Sequence, residues 1–209
     1  VTSSPATAIG DIELLSPDEY SDLAPVRGPD SAQQRLLPDI LSDAVALAGR
    51  DADALIFEDS VVSYGELDSR SSQLARMLAD FGVGAGDVVA LALPRSPETI
   101  VAMWACAKAG AAFLPVDPTY PADRIKHMIV DSGATLGLTT TSDTAALAAL
   151  SDAIAWVVLD DAHFQHTAAQ FSDAPVTDAD RVESLRIDDA AYLIYTSGST
   201  GLPKGVVVT

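Results

Sequence analysis

Cysteine is nearly absent. Cys106 stands alone in 209 residues, so no disulfide can close within the chain, which suits a reducing cytoplasm. Its neighbours Met103-Trp104-Ala105 and Ala107 are apolar and predict a buried, inert thiol rather than a nucleophile. Cationic residues are scarce too: 12 Lys plus Arg face 30 Asp plus Glu, a formal net charge of −18. Nucleic-acid binding needs a basic face, so that class is excluded. The same field repels anionic small molecules at long range, but salt screens it beyond ~8 Å, and a local lysine can still decide the outcome. Solubility is the simpler account of the acidity. Long apolar runs are also missing. Thr99 to Val116 comes nearest to a membrane span, but Lys108, Gly110 and Pro115 interrupt it; a helix followed by a strand in a buried α/β sheet explains it better. The opening Val1-Thr2-Ser3-Ser4-Pro5 has neither the basic start nor the apolar stretch of a secretion signal. No internal repeat is visible. His163 and His166 are spaced to share a helical face, but no third or fourth ligand lies near them, so no metal site is expected.

What is present is a globular composition: 48% hydrophobic residues fill a sizeable core and speak against disorder. Residues 1–30 are rich in Pro, Ser and Asp and read as a linker or arm, in which Ser16 and Pro17 can cap and start a short helix. A helix is expected over Leu36 to Gly49, then a small hairpin of Ala54 to Glu58 and Val61 to Ser63. Ser63 and Glu66 form a capping box for a helix ending near Gly82, with Leu67, Leu74, Leu78 and Phe81 on its core face. Tyr64 and Glu66 have that structural explanation and receive no chemistry. Beyond Gly82 strands and helices alternate: strand Val88 to Leu93, helix Pro97 to Ala109, strand Ala112 to Val116, helix Pro121 to Ser132, strand Leu136 to Thr139, helix Thr144 to Leu150, strand Trp156 to Leu159. Residues 160–188 are polar and ambiguous. The alternation predicts an α/β fold, a mostly parallel sheet flanked by helices, whose ligands bind beyond the carboxyl ends of the strands. Asp117 would sit at such an end, but Asp-Pro before Thr-Tyr-Pro is strong turn chemistry and favours a turn residue. For Arg124 a surface ion pair is a better reading than a phosphate contact. Gly82, Gly84 and Gly86 follow a helix rather than precede one, and Asp87 occupies the place of the third fingerprint glycine, so they read as a helix cap and turn.

The most informative stretch is Ala191-Tyr192-Leu193-Ile194-Tyr195-Thr196-Ser197-Gly198-Ser199-Thr200-Gly201-Leu202-Pro203-Lys204-Gly205-Val206. A β-prone run feeds a loop of hydroxyls and glycines that closes on a lysine. Glycines allow positive φ and close approach of backbone to ligand, successive N–H groups form an anion-binding concavity, and Thr196, Ser197, Ser199, Thr200 and Lys204 add donors and charge. A flexible linker shares the composition but has no use for the strand before it or the Pro-Lys-Gly-Val after it. A Walker loop would open a helix after its lysine; here Val206, Val207 and Val208 predict strand–loop–strand.

Leu193 to Lys204 resembles, at every position, the AMP-binding signature of the adenylate-forming enzymes. Lys108 to Arg124, with its Pro115-Val116-Asp117-Pro118-Thr119-Tyr120-Pro121 run, is similar to the second core motif of nonribosomal peptide synthetase adenylation domains, and Ser63-Tyr64-Gly65-Glu66-Leu67 to the first. Val62, Ala107 and Phe113 depart mildly from the usual pattern. The resemblance covers residues 36 to 209. It implies domain limits of 1–30 for the arm and 31–209 for the N-terminal part of an adenylation domain, the incomplete large N-terminal subdomain, truncated after the phosphate loop.

The resemblance further implies activation of an amino or related carboxylic acid by ATP to an acyl-adenylate, then loading onto the phosphopantetheine of a carrier protein, in antibiotic and other secondary metabolism. The ATP phosphates would be held by Thr196, Ser197, Gly198, Ser199, Thr200, Gly201 and Lys204. No catalytic residue and no metal ligand is expected in this stretch. In the family the Mg²⁺ ligand, the acid pocket and the adenine contacts come from residues C-terminal to this loop, so the chain by itself is expected to be inactive. The implied partners are ATP, the acid, a carrier protein, the rest of the synthetase and an MbtH-like accessory protein, for which no motif reports; the implied location is cytoplasmic, with no nucleic acid and no membrane. Two alternatives stay open: an acyl-CoA or aryl-acid ligase of the same superfamily, and a non-catalytic nucleotide-binding or scaffold fragment. A sheet ending after that strand is expected to leave an unpaired edge.

Overall fold

The computed structural model describes residues 16, 18–19, 33–196 and 203–209. The chain divides into two units, residues 1–34 and 35–209. In the first, the Ser16 hydroxyl accepts the Glu19 N–H at 3.2 Å while the Glu19 carboxylate accepts the Ser16 N–H at 2.8 Å, the reciprocal pair of a helix N-terminus. The remainder of the expected arm lies outside the described residues.

The second unit opens with α1 (Leu37–Ala48), the hairpin β1 (Asp53–Phe57) and β2 (Ser60–Ser63), and α2 (Tyr64–Asp80). Strands and helices then alternate: β3 (Val88–Leu91), α3 (Pro97–Ala109), β4 (Ala112–Pro115), α4 (Ala122–Ser132), β5 (Leu136–Thr139), α5 (Thr141–Ala148), β6 (Ala155–Val158) and α6 (Ala162–Ala168). β7 (Tyr192–Thr196) and β8 (Lys204–Val208) complete the order. One sheet runs β6-β5-β3-β4-β7-β8; every neighbouring pair is parallel except β7–β8, which is antiparallel. The expected α/β fold with a mostly parallel sheet is therefore the observed one.

Strand period places the two cores. Val89, Leu91, Phe113 and Leu138 face α2 and α3, while Ala90, Ala112, Leu114 and Leu193 face α4, as alternating Cβ directions require. From α4, Ile125, Met128 and Ile129 pack on that second face. On the first face Lys108 of α3 is 3% exposed and donates to Asp68 Oδ1 of α2 at 2.7 Å and to Ser72 Oγ at 2.9 Å, so a charge that looked like a mere interruption of an apolar run is the polar pin between two helices.

Several local expectations are corrected. Ser63 Oγ accepts the Glu66 N–H at 3.1 Å, but Glu66 turns to Arg70 at 3.2 Å, so among the described contacts the box is half made. Phe81 is 49% exposed rather than core, because α2 ends at Asp80 and Gly82, at φ 82°, swings the chain away. There the Gly82 N–H bonds the Ala79 carbonyl at 2.9 Å and the Val83 N–H that of Leu78 at 3.0 Å, the glycine cap the sequence suggested. α5 starts at Thr141 rather than Thr144 because Asp160, distant in sequence, accepts the Thr141 N–H at 2.7 Å. The ambiguous stretch 160–188 contains α6, capped by Asp161 through the Phe164 N–H at 2.9 Å, and a short turn of 3₁₀ helix at Asp178–Asp180.

Candidate functional site

The parallel register sets the carboxyl ends of β3, β4, β5 and β7 along one edge of the sheet, where α/β proteins bind ligands. Thr196 is the last residue of β7 and Lys204 the first of β8, and the two are cross-strand partners. Both side chains are exposed, so a hydroxyl and an ammonium stand side by side at that edge. Ser197, Gly198, Ser199, Thr200 and Gly201, the remaining sequence-predicted phosphate ligands, lie outside the described residues.

The stems below this pair are held by α4. The Tyr195 hydroxyl donates to Asp131 Oδ2 at 2.7 Å. Burial, then the bond to the Asp131 carboxylate and its charge, raise the phenol above the usual tyrosine range, so it stays a proton donor. His127 Nε2 lies 3.0 Å from the Pro203 carbonyl; a carbonyl only accepts, so the proton sits on Nε2. The His127 ring meets the Tyr195 ring edge-on, centroids 6.0 Å apart. On the other side Tyr195 crosses from Gly205, where a Cβ would fall 3.1 Å from Tyr195 Cζ. Glycine after the lysine lets the aromatic ring approach closely; any larger residue there would make the ring give by a few tenths of an ångström.

Asp117 accepts the Thr119 N–H at 2.9 Å and its hydroxyl at 2.7 Å. These bonds, the hydroxyl's first, hold its carboxyl below the usual range, and the geometry is that of an Asx-turn. Arg124 makes no ion pair among the described residues; its guanidinium lies 4.1 Å above the Tyr120 ring. Cys106 is fully buried and burial pushes its thiol up to about 12, which removes it from any nucleophilic role. Among the described residues no group of three or more His, Cys, Asp and Glu side chains could hold a metal, and no helix is long and apolar enough to cross a membrane. Sequence reasoning missed His127, Asp131 and Tyr195. The signal was there: two polar residues four apart beside Ile125, Met128 and Ile129, and a tyrosine directly before the first hydroxyl of the loop.

The family model for AMP-binding enzymes matches residues 42–209. A dimodular nonribosomal peptide synthase of Bacillus subtilis is 39% identical over 99% of this chain, and tyrocidine synthase 2 of Brevibacillus parabrevis is 36% identical over 100% of this chain. The chain spans 9% and 6% of those two proteins. Among solved structures, the nonribosomal peptide synthetase FmoA3 with bound α-methyl-L-serine-AMP superposes with a TM-score of 0.72 at 27% identity, over 86% of this chain and 18% of that one. The N-terminal subdomain of Klebsiella oxytoca NpsA superposes at 0.69 and 27% identity, over 84% of this chain and 42% of that one.

Proposed function

The chain belongs to the AMP-binding enzyme family, and on that premise we propose that it forms part of an ATP-dependent adenylation domain of a nonribosomal peptide synthetase. Its contribution is the site at the β7–β8 turn, which holds the β- and γ-phosphates of ATP. The observation that carries this reading is the pairing of Thr196 with Lys204, both exposed at the carboxyl edge of the sheet. An ammonium and a hydroxyl fixed on neighbouring strands form an anion site whose reach is set by the hairpin rather than by a flexible chain. The peptide synthetases among its relatives, and an aminoacyl adenylate in one superposed structure, favour an amino or related carboxylic acid as the second substrate.

In the reaction the acid's carboxylate oxygen attacks the α-phosphorus, the bond from that phosphorus to the bridging oxygen breaks, and pyrophosphate leaves with the electron pair. The acyl-adenylate then yields its acyl group to the thiol of a carrier protein's phosphopantetheine, releasing AMP. Charge grows on the departing pyrophosphate, and donors fixed beforehand at that position favour the transition state. Lys204 neutralises it and Thr196 donates to it. Mg²⁺ would supply further charge neutralisation; no cluster among the described residues fits it, and no step is assigned to it.

The test is ATP–pyrophosphate exchange by the complete enzyme. Hydrogen bonds to charged oxygens contribute about 1.5–3 kcal/mol each, so Lys204→Ala should slow exchange about 10- to 100-fold. An unchanged exchange rate, with the protein folded, would remove Lys204 from the site.

A further inference from the structure

The hairpin that carries Thr196 and Lys204 sits at an edge of the sheet, with β8 outermost among the described strands. Ile194 and Val206, cross-strand partners on one face, are about half exposed, so that face of the hairpin has little packed on it. The opposite face rests on α4, and there the contacts are polar and specific. Asp131 takes the hydroxyl of Tyr195, the residue before Thr196, and His127 holds the carbonyl of Pro203, the residue before Lys204. His127 and Asp131 are four apart, hence neighbours on one side of the helix, and the Tyr195 ring lies against both His127 and Gly205.

We infer that His127 and Asp131 are positioning residues for nucleotide binding: they clamp the two stems of the hairpin, one bond per stem, and so fix the spacing and direction of Thr196 and Lys204 before ATP arrives. The inference rests on the phosphate-binding reading of the hairpin. Neither residue touches the nucleotide. Their effect is preorganisation, because an edge hairpin free to splay would have to be ordered at the expense of binding. The Tyr195 phenol suits this use: held protonated by its surroundings, it remains a donor to Asp131 throughout the ordinary pH range.

In ATP–pyrophosphate exchange by the complete enzyme, His127→Ala should lower kcat/KM for ATP about 3- to 10-fold, the range one lost neutral hydrogen bond allows. The KM for the acid should stay within about twofold of the parent value. His127→Gln, whose amide N–H can reach the Pro203 carbonyl, should recover most of the loss. Tyr195→Phe, which deletes one oxygen and keeps the ring, should reproduce the same split between the two substrates. A merely structural role would depress both substrates together and would show no rescue by glutamine. Equal loss for ATP and acid, or no loss at all in both His127→Ala and Tyr195→Phe, overturns the clamp. Lys204→Ala measured alongside separates the two ideas: if it impairs ATP use while the clamp variants do not, only the clamp fails; if Lys204→Ala is silent, the phosphate-binding reading itself fails.

Discussion

Replacing Lys108 with methionine keeps an unbranched apolar stem and deletes the ammonium. In the folded chain that ammonium donates to Asp68 Oδ1 at 2.7 Å, to the Asp68 carbonyl at 2.8 Å and to Ser72 Oγ at 2.9 Å. Burial pushes the lysine below its usual range while the Asp68 carboxylate acts in the other direction, so the pair persists because each charge compensates the other. Removing one partner of a buried pair strands the other, at about 3–5 kcal/mol. Asp68 keeps Arg50 at 3.2 Å, but the Arg50 side chain is 56% exposed, and a solvated pair of that kind offsets only ~0.2–1 kcal/mol. The balance is a loss of about 3 kcal/mol, or a fall in Tm of roughly 6–12 °C for a domain of this size. Adding Asp68→Leu removes the stranded carboxylate, so the double variant should regain most of the loss. Urea unfolding followed by circular dichroism, on the parent and the three variants, measures all four corners of this cycle. A loss under about 1 kcal/mol for Lys108→Met, or a double variant no more stable than Lys108→Met alone, would refute the reasoning.

The Thr177 backbone N–H and then the Arg76 guanidinium hold the Asp180 carboxyl at about 2, against 3.8 when free. Its folded-state pKa is depressed, so the stability it contributes is present above the free value and is lost as pH falls from there towards 2. Asp180→Asn should flatten that acid limb of a Tm-versus-pH curve; an identical limb in parent and variant would contradict the assignment. Cys106, buried with its thiol pushed up to about 12, should resist an aromatic disulfide reagent at about pH 8 in the folded chain and react promptly in denaturant. Rapid modification of the native protein would show that α3 does not bury it.

The alternation of strands and helices was legible because each element carries its own period and punctuation. α3 runs Pro97–Ala109 and β5 Leu136–Thr139, the limits their proline, glycine and β-branched residues suggested. What escaped sequence reasoning depends on partners far along the chain. Asp160 caps α5, Arg76 gathers the carbonyls of Ser172, Ala174 and Pro175, and Lys108 finds Asp68 forty residues away; no local window contains both members of such pairs. The same applies at the site. The loop was conspicuous by composition, and the strand pairing sets Thr196 beside Lys204, but its support from His127 and Asp131 needed α4 to fold back under the hairpin. Arg124 went wrong in the opposite way: a charge expected to seek a carboxylate stacks on Tyr120 instead, a contact that sequence spacing does not distinguish from an ion pair.

The central claim is that the hairpin between Tyr195 and Gly205 receives the phosphate tail of ATP. The most direct measurement is a structure of the complete enzyme with a non-hydrolysable ATP analogue. We expect β- or γ-phosphate oxygens within ordinary hydrogen-bond distance, about 2.7–3.2 Å, of the Thr196 hydroxyl and the Lys204 ammonium. A phosphate tail bound elsewhere, with both side chains turned to solvent, would contradict it.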